Sequence, residues 1–189
     1  MLKKIAELFS RDKGEAQASG TQKADYFERP IEDYFNESIK SSPYFQPEKR
    51  DLILNHLLGA SNLNESGDTL STTQKKALGF NPRIKITSQL LYTLTNEGRL
   101  LKDPKIALEE LFYQATFKKS RTDKFHQSVK AGITSFKLCA SGDGSECEWC
   151  RTNDQKVFGV EILDVFNLNC TCSPYSKCFI APAKLSWEE

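Results

Sequence analysis

Five of the six cysteines in this 189-residue chain fall between residues 147 and 178, and the first 138 residues hold none. Cys147 and Cys150 form a C-x₂-C pair. Nineteen residues separate them from Cys170, one more separates it from Cys172, and five separate that from Cys178. A C-x₂-C turn points two sulfurs to one side at the separation tetrahedral zinc requires, and a second group about 20 residues on closes such a site. The spacing therefore predicts a structural Zn²⁺ site drawn from Cys147, Cys150, Cys170, Cys172 and Cys178.

Five sulfurs compete for four positions. The expected set is Cys147, Cys150, one of Cys170 and Cys172, and Cys178. Residues one apart on an extended strand face opposite ways, so Cys170 and Cys172 serve together only if the chain bends between them. Of the two, Cys172 is favoured because "CSPYSKC" loops it back to Cys178. Cys139 ends a strand and reads as an ordinary buried thiol. Pairing of the six cysteines as disulfides is the competing reading for a secreted chain, and iron–sulfur ligation also needs four cysteines. A long cysteine-free body and the lack of a secretory leader weigh against disulfides. "MLKKIAELFSRDK" has a positive start, but Glu7 interrupts its apolar run and "RDKGE" replaces a small-residue cleavage site.

The rest of the chain reads as mostly helical. Residues 1–24 comprise an amphipathic segment, with Leu2, Ile5, Leu8 and Phe9 on one face, and a small polar linker. Residues 25–132 form the helical body. "ADYFERPIEDYFNESIKSSPYFQPEKR" is expected to make short helical turns between prolines, and helices follow at "PEKRDLILNHLLGA" and "TTQKKALGF". In "ITSQLLYTLTNEG", Thr87 caps the start and Gly98 takes a left-handed conformation at the end. "DPKIALEELFYQATFKK", opened by Asp103 and Pro104, and "SRTDKFHQSVKAG", closed by Gly132, read as two further helices.

Residues 133–189 change pattern. "ITSFKLCA" and "QKVFGVEIL" read as strands joined through the glycine turn "SGDGSEC". Two thin strands cannot bury enough apolar surface to order themselves, and zinc binding of roughly 10–16 kcal/mol in finger peptides can offset that deficit. The expected fold class is thus α+β, a mostly helical body with a small C-terminal zinc-stabilised β module.

The residues "FKLCASGDGSECEWCRTNDQKVF…NLNCTC" resemble the C-terminal segment of phage minor head, or head-morphogenesis, proteins. Cys147 and Cys150 match that family's C-x-x-C pair. Asp154, Lys156, Val157 and Phe158 match its following strand, and Asn169, Cys170 and Cys172 match its "HPNCRC" ending. The likeness covers about 45 residues. Asn167 and Leu168 stand where the family has His and Pro, Thr171 stands for Arg, and Cys178 is additional. The resemblance implies a role in head assembly and a virion setting; otherwise the expected place is the cytoplasm.

Catalysis is not expected. An all-cysteine site is saturated and leaves no open position for water. His56 and His126 are the only histidines, and no phosphate-binding loop, G-x-S-x-G or H-E-x-x-H is present. No small-molecule substrate is implied, and no stretch approaches the roughly 20 apolar residues of a membrane span. A protein partner is the expected counterpart, with Trp149 either its anchor or packed over the metal. Charge supports one alternative. Residues 75–137 carry 13 Lys/Arg against 5 Asp/Glu. A basic helical middle can bind nucleic acid, with Lys118, Lys119, Arg121, Lys124 and Lys130 as the phosphate contacts.

Overall fold

The computed structural model describes residues 28–183; the amphipathic segment and linker expected over residues 1–24 lie outside them. The chain is α+β, a helical body followed by a small β module. Helix α1 (Ile31–Ser41) starts directly after Pro30 and runs for 11 residues, longer than the short turns expected there. It buries Tyr34, Phe35 and Ile39 at helical spacing, so one continuous apolar face keeps it intact. A single 3₁₀ turn, Pro47–Lys49, leads into α2 (Arg50–Leu57), and Gly59 follows with φ +77° as the stop.

Helix α3 (Thr72–Ala77) opens with a capping box between Ser71 and Gln74. Thr87 caps α4 (Ser88–Thr93) as expected, its hydroxyl accepting from the Leu90 amide while donating to the Leu63 carbonyl. Gly98 does not end that helix. It is buried inside a further turn, α5 (Asn96–Arg99), where a Cβ would collide with the Tyr44 carbonyl oxygen. Close backbone approach, and not a left-handed conformation, requires glycine there.

The two helices expected between Asp103 and Gly132 are one, α6 (Pro104–Lys130), 27 residues long. Asp103 caps it by accepting from the Lys105 amide, and Gly132, at φ +88°, follows its end. No glycine or proline lies between Pro104 and Lys130 to break it, and each end has its own packing partner. Ala107, Leu108, Leu111 and Ala115 face one hydrophobic core, shared with α1, α2 and α4. Phe125 faces a second. The helix is the spine that joins them.

Past α6, β1 (Phe136–Cys139) is the central strand of a three-stranded antiparallel sheet of order β2-β1-β3. The strand expected over "QKVFGVEIL" is only β2 (Val157–Phe158). After it the Gly159 amide donates to the Glu161 carboxylate, and the chain turns into α8 (Ile162–Asn169), burying Ile162, Leu163 and Phe166. Ile162, the last β-branched residue of that stretch, thus serves a buried helix face and not a strand. A strand the sequence reading did not foresee, β3 (Phe179–Pro182), pairs along the other edge of β1, with Leu138 opposite Ile180 and Cys139 opposite Phe179. The five-residue helix α7 (Glu148–Thr152) fills the interval between β1 and β2. No helix among the described residues is long and apolar enough to cross a membrane.

Candidate metal centre

Three of the four sulfurs are set by short helices, and the fourth, Cys172, lies in the loop just beyond α8. Cys147 is the N-cap residue of α7, and Cys150 lies one turn inside it, fully buried. Cys170 is the C-cap residue of α8, where the backbone leaves the helix at ψ 116°. That departure is the bend on which joint service of Cys170 and Cys172 depends: both side chains reach the same point. The ligand atoms of Cys147, Cys150, Cys170 and Cys172 all lie within 4.8 Å of one another. Cys150 Sγ is 3.6 Å from Cys170 Sγ and 3.7 Å from Cys172 Sγ.

These separations fit a shared metal better than a disulfide. Zinc–sulfur bonds of about 2.3 Å at tetrahedral angles put sulfurs about 3.8 Å apart. A disulfide needs about 2.05 Å, and none of the described cysteines is in one. Backbone amides complete the cage in reciprocal fashion: the Cys147 amide donates to Cys172 Sγ at 3.2 Å, and the Thr171 amide donates to Cys147 Sγ at 3.4 Å. Amide donors of this kind stabilise thiolates.

Cys178 is not one of the four. It is buried, and its sulfur takes the Ser141 amide while contacting Cys150 from outside the group. Where the sequence placed Cys178 with one of Cys170 and Cys172, the structure brings both Cys170 and Cys172 to Cys147 and Cys150, because α8 ends between Asn169 and Thr171, and leaves Cys178 beside that group. Cys139 ends β1 as a buried thiol apart from the group.

The protonation of the four is uneven. Burial works against ionisation of Cys147, but the amides of Cys150 and Thr171 outweigh it and pull this thiol down to about 6. Burial pushes Cys150 well up, and the neighbouring Cys170 adds to the effect. Cys170 is also raised by burial, against the Ser176 hydroxyl and the Cys172 amide. A divalent cation is what makes four such thiolates compatible in one place, so the arrangement can bind a metal such as zinc.

No protein-family model matches the chain, no curated protein is similar to it, and no solved structure matches its fold. The geometry of the four sulfurs is therefore the ground for any functional reading.

Other candidate residues are placed as follows. Trp149 packs edge-on against Phe166, with ring centroids 5.9 Å apart. His56 takes the Leu63 amide on Nδ1, and neither it nor His126 belongs to the sulfur group. Among the basic residues, Lys118 pairs with Glu37 at 2.8 Å. Lys119 pairs with Glu28 and Asp123. Arg121 is not a surface cation at all: it is 8% exposed and turned towards the sulfur centre, one terminal nitrogen donating to the Cys178 carbonyl at 2.9 Å. A phosphate contact there is ruled out by burial. Lys124 and Lys130 are exposed. The sequence did hold a sign of Arg121's position, since it precedes Phe125 by four residues on α6 and so shares that residue's inward face.

Proposed function

We propose that the chain is a non-catalytic zinc protein whose C-terminal module is a metal-held surface for binding or assembly with a protein partner. The observation that carries this reading is the convergence of the Cys147, Cys150, Cys170 and Cys172 sulfurs to within 4.8 Å of one another, with Cys150 3.6 Å from Cys170 and 3.7 Å from Cys172. Four thiolates fill the coordination of zinc and leave no position for water or substrate, which favours a structural over a catalytic role. The likeness of the cysteine-rich C-terminal segment to phage minor head proteins supports a place in head assembly, and with it a virion setting. With Arg121 buried and Lys118 and Lys119 already paired, the nucleic-acid alternative loses most of its surface.

Cross-linking followed by mass spectrometry in the source cell or particle tests the proposal. The expected result is cross-links from the module to a structural protein, capsid or portal protein in a phage setting, that vanish when Cys150→Ser abolishes metal binding. Recovery of nucleic acid alone, with affinity that collapses as salt rises, would overturn it.

A further inference from the structure

Arg121 poses an electrostatic problem. Its guanidinium cannot lose its proton in a protein, and a buried charge is costly unless a partner compensates it. The side chain is 8% exposed. Its Nε has no hydrogen-bond partner, and among the described residues no carboxylate forms an ion pair with it. Two contacts are in place: the Cys178 carbonyl at 2.9 Å and the face of Phe166, 4.3 Å from the guanidinium carbon. Neither carries a formal charge, so a cation–π contact and one carbonyl leave the cation without a counter-ion. The remaining source of negative potential is sulfur. Burial lowers the pKa of Arg121, while Cys170, Cys178, Cys150 and Cys172 all act in the opposite sense.

We infer that Arg121 is the counter-charge of the metal centre, a positioning residue that stabilises a divalent metal held by four thiolates as a dianion and so ties metal occupancy to the seating of the module on α6. The inference rests on the metal-binding reading above and deepens it. A divalent cation with four thiolates carries two net negative charges, and one buried cation beside them halves the uncompensated charge. Disulfides in the same place would be neutral and would leave the guanidinium with no counter-ion. The coupling has a route: the same side chain is anchored in the middle of α6, touches the residue that precedes β3, and covers the ring of Phe166 in α8, which in turn supports Trp149 between the first two sulfurs. Outer-shell partners of this kind change metal affinity by about 10–100-fold.

The test uses the full chain with Arg121→Met, Arg121→Gln and Arg121→Lys. Competition against a zinc chelator should show affinity for Zn²⁺ falling at least about tenfold in the Met and Gln variants and largely restored in Lys, which keeps the charge. A second measurement separates charge from packing. With iron in place of zinc, reduction converts a tetrathiolate monoanion into a dianion, which a nearby cation favours. The midpoint potential should therefore move to more negative values in Met and Gln, and stay near the parent value in Lys. Unchanged zinc affinity and potential in the neutral variants, or equal losses in Lys and Met, would overturn the inference while leaving the metal centre intact. A parent chain that binds neither zinc nor iron would overturn both.

Discussion

Among the described residues, the core at the N-terminal end of α6 closes over sixteen buried apolar residues, including Tyr34, Ile53, Leu90 and Leu111. At the other end it holds nine, two of them cysteines, with four-residue strands as its longest sheet elements. At roughly 1.5–3 kcal/mol for each fully buried large side chain, the first set contributes considerably more stabilising burial than the second. One long helix thus carries two regions with different resources for stability: a large apolar core in the body, and in the module a small core beside four converging sulfurs that can bind a metal.

Removing the metal should have the largest effect and should be confined to one end. Cys150→Ser, or a strong chelator, is expected to abolish hydrogen-exchange protection in β1, β2, β3 and α8 while the amides of α1, α2 and the first half of α6 keep theirs. Uniform loss across both regions would break the distinction. The converse substitution, Ile53→Ala, empties part of a fully buried site in the body and should lower its stability by about 3 kcal/mol in denaturant unfolding, with zinc content unchanged.

Acidity should act on the module through its ligands. Cys150 and Cys170, held up by burial, keep their protons at neutral pH in the metal-free chain and must release them on binding. Affinity for zinc should therefore rise with pH through neutrality and fall on acidification, by about tenfold per pH unit for each proton released. Cys147, at about 6, is already ionised at pH 7 and adds to the slope only in more acid solution. Isothermal titration in two buffers of different ionisation enthalpy counts the protons. The smallest effect is expected for Cys178→Ala. Outside the group of four, it should leave one metal per chain and cost the module about 1–2 kcal/mol of thermal stability, whereas Cys172→Ser should remove the metal.

Much of this division was legible in the sequence, because local signals decided it. The C-x₂-C pair, the caps at Thr87 and Asp103 and the stops at Gly59 and Gly132 each act over a few residues, and each occurs where the pattern placed it. What escaped were features set by distant packing. Two apparent helices fused into α6 because both halves found cores to cover. Gly98 answered to a carbonyl 54 residues earlier in the chain. Cys170 joined Cys172 in the centre because the chain bends as it leaves α8 at Cys170, and Arg121 turned from a surface cation into a buried one because the module folded back over it.

Native mass spectrometry of the full chain, purified without added metal, tests the central claim most directly. One zinc ion bound to each chain, lost on acidification together with the resistance of Cys147, Cys150, Cys170 and Cys172 to alkylation, is the predicted result. A metal-free mass lowered by the hydrogens of two disulfides, from a chain whose module remains fully protected from exchange, would contradict it.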